Sequence, residues 1–300
     1  MARDRSCHNM LRYTPTPVQE IHDPILDKAG VRLLLKREEL NHPYVSGNKW
    51  WKLKYNLEEA THTGKKTLLT FGGAFSNHIF ATAAAAQELG FESIGIIRGE
   101  ETLPLNHTLS FAATTGMKLH YVSRERYRNK TQSEFIDQLQ QQFGDFYLIP
   151  EGGTNELAVK GVIEFAQTLG NDFDYLCCSI GTGGTLAGII NGIPNNKNIL
   201  GFSSLKGGDF LDADVKNWLT SGQHSDWRII TDYHFGGYGK TTAALEQFKS
   251  HFETRNTIPL DNVYTAKMMA GIFDLVQKSF FKTGSTLLAI HTGGLQGKSH

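Results

Sequence analysis

The chain has 300 residues, 40% hydrophobic and 20% charged, and its 30 basic and 30 acidic side chains cancel. That length can bury one large core or two smaller ones, and the neutral balance leaves no electrostatic footprint for nucleic acid or an anionic membrane. Three cysteines, two of them adjacent at Cys177-Cys178 in an apolar run, make neither a disulfide framework nor a zinc spacing, so buried thiols and no metal site are expected.

In chain order, Met1–Ser6 is polar and lacks the apolar region of a signal peptide, and no apolar run is long enough to span a bilayer. The expected compartment is the cytoplasm. Val31–Leu35 reads as a strand running into the charged cluster Lys36-Arg37-Glu38-Glu39. Ser46-Gly47-Asn48-Lys49 then makes a glycine turn ahead of a helix over Lys52–Ala60, whose Leu53, Leu57 and Ala60 share one side and which Gly64 stops. A helix N-terminus carries positive potential, which lowers the pKa of an ammonium held there and makes Lys49 a candidate nucleophile toward a carbonyl.

Further strands are expected at Thr67–Phe71, Ser93–Arg98, Lys118–Val122, Phe146–Ile149, Tyr175–Ser179, Asn198–Phe202, Arg228–Thr231 and Ser285–His291. The clearest helices between them are Asn77–Leu89 and Glu156–Leu169, the second with Val159, Val162, Ile163, Ala166 and Leu169 on one face and Gly170 as its stop. Continuous apolar strands separated by helices predict parallel sheets covered on both faces. So many strands in a chain of this length predict two open parallel-sheet α/β lobes, with a ligand in the cleft between them. The smaller is placed at residues 51–153 and the larger at 1–50 with 154–300, Pro150-Glu151-Gly152-Gly153 being the crossing.

In open α/β sheets ligands lie beyond the carboxyl ends of the strands. Three glycine-rich turns follow strands there. Gly72-Gly73-Ala74-Phe75-Ser76-Asn77-His78 opens a helix, with Ser76 or Asn77 suited to cap it. Gly181-Thr182-Gly183-Gly184-Thr185 has the composition of a phosphate cradle: close backbone approach, hydroxyl donors and a following helix. It is neither a P-loop nor the spaced dinucleotide fingerprint, so a mononucleotide or a cofactor monophosphate fits it better. His291-Thr292-Gly293-Gly294 follows the last strand.

With Lys52-Leu53 and Val263-Tyr264-Thr265 these motifs stand in the order seen in one family. From Thr14 to its C-terminus the chain resembles the 1-aminocyclopropane-1-carboxylate deaminase / D-cysteine desulfhydrase family, pyridoxal-phosphate enzymes of fold type II. The resemblance implies that Lys49 holds pyridoxal 5'-phosphate covalently. It implies that Lys52 and Gly181, Thr182, Gly183, Gly184 and Thr185 bind the phosphate, and that Asn77 faces the cofactor's 3-hydroxyl. Ser76, Asn77 and His78 would meet the substrate, Tyr238 and Tyr264 would be active-site tyrosines, and Thr265 and Thr292 would lie near the pyridine nitrogen. The deaminase branch has Tyr-Glu, His-Leu-Gly-Gly and Ser-Asn-Gln where this chain has Tyr264-Thr265, His291-Thr292-Gly293-Gly294 and Ser76-Asn77-His78. In those places the chain is similar to the desulfhydrase branch. Trp50 and Phe80 fit neither branch, polar or basic residues being expected there.

The resulting expectation is a pyridoxal-phosphate-dependent lyase eliminating sulfide from a small D-amino acid, D-cysteine above all. The alternatives are 1-aminocyclopropane-1-carboxylate deaminase and a non-catalytic protein that grips a phosphorylated ligand. The resemblance also implies a homodimer. No nucleic acid or membrane partner is expected.

Overall fold

The computed structural model describes residues 10–297; the polar Met1–Ser6 stretch lies outside them. Ten strands run in chain order: β1 (Val18–Ile21), β2 (Arg32–Lys36), β3 (Thr67–Gly72), β4 (Glu92–Arg98), β5 (Met117–Val122), β6 (Tyr147–Ile149), β7 (Tyr175–Ile180), β8 (Asn198–Ser203), β9 (Asp226–Ile230) and β10 (Thr286–Ile290). They form two sheets, one of order β1-β2-β10-β7-β8-β9 and one of order β5-β4-β3-β6. Every pairing is parallel except β1 with β2. The antiparallel edge strand β1 has no counterpart in the sequence expectation. It is four residues long, contains Gln19 and Glu20, and buries only Ile21, so it lacks the continuous apolar run of a strand covered on both faces.

The crossover connections are helices, as parallel pairing requires. Ser76 caps the Asn77–Leu89 helix through Ile79 N, and Gly90 closes it in the left-handed conformation. Asn155 caps the Glu156–Gln167 helix through Ala158 N. Helices Asn48–His62, Asn77–Leu89, Glu156–Gln167 and Gly184–Gly192 contribute to one apolar core that also takes Leu68 from the smaller sheet and Leu176 from the larger. A second core, including Leu33, Cys177 and Leu287, lies against the Thr265–Gln277 helix on the other side of the larger sheet. Cys177 and Cys178 are fully buried and free, as expected. No helix among the described residues is long and apolar enough to cross a membrane.

The expected boundary at residue 51 falls inside the Asn48–His62 helix, which packs on the Glu156–Gln167 helix of the larger lobe. We propose that the smaller domain begins after that helix and ends at the glycine turn of residues 151–153. Gly161 is what lets the two helices meet: a Cβ there would sit 2.0 Å from the Trp51 carbonyl oxygen. An exposed helical Gly→Ala change gains up to about 1 kcal/mol from propensity. Here Gly161→Ala is expected instead to cost about 1–3 kcal/mol by forcing the helices apart, read as a lower urea midpoint. A midpoint that rises would refute this crossing.

Candidate active site

The lysine helix begins at Asn48 rather than Lys52, so Lys49 stands in its first turn instead of ahead of it. Gly47 precedes it at φ +67°, where a Cβ would lie 2.1 Å from the Thr292 carbonyl oxygen. Only glycine can take that conformation at that distance. The turn is held from behind by Asn41, whose Nδ2 donates to Gly47 O and whose Oδ1 accepts from Gly47 N. Lys49 and Lys52, three residues apart, project from one face of the helix into the same cavity of about 510 Å³.

That cavity lies between the sheets at the carboxyl ends of their strands. Gly73, Ser76, Asn77 and His78 line it from the turn after β3, Gly152 from the turn after β6, and Gly181, Thr182, Gly183 and Thr185 from the turn after β7. Thr292 lines it after β10, with Tyr238 and Tyr264. Gly184 begins the Gly184–Gly192 helix and faces Thr154 instead. Asn48 Nδ2 donates to Thr185 Oγ1 at 2.9 Å, tying the lysine helix to the glycine cradle.

Lys49 is half-buried, and its Nζ donates to Asn48 Oδ1 at 3.1 Å. Burial pulls its pKa down to about 8, although Cys178 and Asp261 oppose the shift. Lys52 is almost fully buried, donating to Gly152 O at 2.5 Å and Thr154 Oγ1 at 2.7 Å. Burial and then the neighbouring Lys49 push its pKa well below the usual lysine value. His78 is buried and held neutral by burial, reinforced by both lysines. Thr70 Oγ1 donates to Ile149 O, so it must accept from His78 Nε2 at 2.7 Å, which leaves Nδ1 without a partner. Tyr264 and Tyr238 pack edge to face, ring centroids 6.1 Å apart. Burial raises both phenols above their usual pKa, so they stand as proton-bearing donors at neutral pH.

A family model described as pyridoxal-phosphate dependent enzyme matches residues 10–293. The chain belongs to that family. It is 32% identical over 298 residues to a Pyrococcus horikoshii protein provisionally named 1-aminocyclopropane-1-carboxylate deaminase, covering 95% of this chain and 91% of that one. It is 30% identical over 315 residues to a mitochondrial bifunctional D-cysteine desulfhydrase/1-aminocyclopropane-1-carboxylate deaminase of Arabidopsis thaliana, covering 96% and 78%. A crystal structure of a homologue of 1-aminocyclopropane-1-carboxylate deaminase superposes with TM-score 0.82 at 29% identity, covering 96% and 91%. The protein is therefore a pyridoxal-phosphate-dependent enzyme of fold type II, within the deaminase / desulfhydrase family.

The residues present fit that cofactor. At one side of the cavity stands an amine whose only hydrogen-bond partner among the described residues is an amide oxygen. At the other a glycine turn opens a helix, with Gly183 at φ +78°, a backbone shape that presents N–H groups to a phosphate. Lys52 beside them spends two of its three N–H donors on the protein, and a phosphate would return the positive charge that burial has made costly.

Thr292 lines the cavity and its Oγ1 lies 3.0 Å from Ser179 Oγ, at the end of neighbouring β7. Thr265 does not line it. Its hydroxyl donates to Asp261 Oδ2 at 2.6 Å, and the Asp261 carboxylate also receives the backbone N–H groups of residues 263–265. Thr265 thus opens the Thr265–Gln277 helix. Trp50, Trp51 and Phe80 are buried core residues outside the cavity lining: the tryptophans pack together and on Tyr13, Trp51 Nε1 donates to Glu38 Oε2, and Phe80 stacks on Phe111 at 3.8 Å.

Sequence reasoning missed Ser179, Arg98, Lys130 and Glu151 in the lining. Arg98 could have been found, since it ends a strand at the ligand side. It also missed Lys267, a buried lysine whose Nζ donates to His234 O at 2.9 Å and Gly237 O at 2.7 Å. Those bonds hold the loop that carries Tyr238.

Two predictions follow from these lysines. In the cofactor-free protein the neutral amine of Lys49 is the reactive form, so its acylation rate should rise through a midpoint near pH 8, read by peptide mapping. A midpoint near the ordinary 10.4 would show that the cavity does not desolvate it. Lys267→Met should cost about 2–4 kcal/mol, because two buried carbonyls lose a charged donor, and should raise KM by freeing Tyr238. Unchanged denaturation and kinetics would remove Lys267 from this role.

Proposed function

We propose that the protein is a D-cysteine desulfhydrase-like lyase, converting a small D-amino acid with a good β-leaving group, D-cysteine first, and water to a 2-oxo acid, ammonia and sulfide. The observation that carries this reading is the neutral hydroxyl pair Ser179–Thr292 in the cavity, with Thr265 withdrawn onto Asp261. Bound pyridoxal phosphate supplies the electron sink for charge developing at the substrate α-carbon. If Thr292 partners its ring nitrogen, a hydroxyl there would give no charge pairing to a protonated nitrogen, and the sink would be weaker than a carboxylate partner would make it. That suits loss of a thiol, which departs readily, better than opening of an unactivated ring.

The chain's own groups divide the work. The N-terminus of the Asn77–Leu89 helix, with Ser76 and Asn77, offers donors to the substrate carboxylate. The free amine of Lys49 would take the α-proton; a pKa near 8 leaves a useful fraction of it neutral at physiological pH. Tyr264 and Tyr238 keep their protons and can donate to the substrate or the departing thiol. His78 does not compete for the α-proton, because burial and then the two lysines hold its pKa well below the usual histidine value and make its free Nδ1 a weak base.

A second reading, opening of 1-aminocyclopropane-1-carboxylate to 2-oxobutyrate and ammonia, is favoured by the names of the relatives. That substrate has no α-proton, so Lys49 would have to act elsewhere. Incubation of the holoenzyme with each compound, assaying sulfide and 2-oxo acid, separates the two. Sulfide release from D-cysteine is expected to exceed 2-oxobutyrate formation by tenfold or more in kcat/KM, about 1.4 kcal/mol of differential stabilisation. Faster ring opening would reverse the assignment.

A further inference from the structure

Beyond the catalytic cavity, and sharing Gly73, Arg98, Lys130, Glu151 and Tyr238 with it, lies an outer cavity of about 640 Å³. Five cationic side chains line it, Arg98, Arg124, Arg128, Lys130 and Lys240, against the single carboxylate of Glu151. The whole chain has no net charge, so this positive field is local and does not follow from composition. Glu151 is already committed: it accepts from Tyr127 OH at 2.8 Å and pairs with Lys130 at 3.3 Å.

Arg98 is different. It is the last residue of β4, and the β3–β4 register, which sets Gly72 beside Ile97, brings it level with Gly73 in the first glycine turn. One guanidinium nitrogen lies 3.5 Å from where a Gly73 Cβ would be, and the group sits over the Tyr127 ring at 5.7 Å. Among the described residues it has no hydrogen bond and no carboxylate partner. A planar fork with free donors, parked on an aromatic face at the ligand end of a parallel strand, is built to take an oxyanion in two-point contact.

We infer that Arg98, at the junction of the two cavities, recognises a second anionic group on the substrate's side chain, so that the enzyme prefers amino acids whose β-substituent bears a carboxylate or a comparable oxyanion. This rests on the reading above, in which the helix N-terminus at Ser76–Asn77 already serves the α-carboxylate and leaves Arg98 for another anion. The remaining cations of the outer cavity concentrate such substrates at its mouth.

Aspartate and asparagine, each as both enantiomers, differ only in that charge. Their dissociation constants from the holoenzyme, measured by calorimetry, should favour the acid by about tenfold in the enantiomer that binds, and the preference should shrink as salt is raised from low to about 0.5 M. Arg98→Gln, exposed and free of structural bonds, should fold and should bring the acid down to the amide. Equal affinity in the wild type, or a preference that survives Arg98→Gln, would overturn the inference and leave the proposed lyase standing. Equal weakening of acid and amide would overturn it too, by placing the α-carboxylate on Arg98. A cofactor-loaded protein that binds none of the four would overturn the inference alone, since the lyase stands or falls on sulfide release from D-cysteine.

Discussion

The site depends on a contact that involves no side chain. Gly47 lies against the backbone of Thr292 and Gly293, too close for any Cβ, and a Cβ on Gly293 would lie 3.1 Å from the Ser46 carbonyl oxygen. Through that contact the start of the lysine helix is fixed against the end of β10, the central strand of the larger sheet between β2 and β7. Asn48 then reaches Thr185 on the cradle helix, and Thr292 reaches Ser179 on β7. Three segments far apart in sequence are thus set around one cavity by backbone approach and two hydroxyl contacts.

The charges inside follow from that geometry. Burial lowers the pKa of both lysines on one helix face, and Lys49 lowers that of Lys52 further, an arrangement that would be costly with nothing negative to offset it. A covalent bond to Lys49 and a phosphate near Lys52 would remove the cost together, and cofactor binding would then be coupled to relief of a built-in electrostatic penalty. The surrounding donors are neutral: His78 through burial, the tyrosines through raised pKa values, Thr292 and Ser179 as hydroxyls. Around Lys49 the chemistry available is proton transfer by an amine among uncharged hydrogen-bond donors, the cations Arg98 and Lys130 lining the part shared with the outer cavity.

The bulky residues beside the lysine are explained by packing. Trp50 and Trp51 turn into the core with Tyr13, and Trp51 also satisfies the buried Glu38 carboxylate together with Asn41. They support the helix that carries Lys49 without entering the cavity lining. The character of the substrate is set on the opposite side, where Arg98 and Glu151 come from the ends of the smaller sheet's strands.

The interior strands and the glycine turns were legible in the sequence because both signals are local. An apolar run covered on two faces declares itself, as Tyr175–Ile180 does, and clustered glycines mark places where the backbone must bend sharply or approach something closely. The four-residue edge strand β1 and the true start of the lysine helix were not legible: the first is half polar, and the second depends on Gly47 meeting Thr292. Thr265 and Thr292 were indistinguishable as a Tyr-Thr and a His-Thr pair; only the fold, by giving one an aspartate four residues away and the other a serine on a neighbouring strand, separated a helix-opening hydroxyl from one that lines the cavity. Arg98 reads as the polar end of a strand until the parallel register sets it beside Gly73. The sequence by itself determined which segments are strands, helices and glycine turns, because those depend on neighbours a few residues away. Which side chains share a cavity, and which pKa values their burial shifts, was decided only when strands distant in the chain paired, because electrostatics and close packing depend on separation in space.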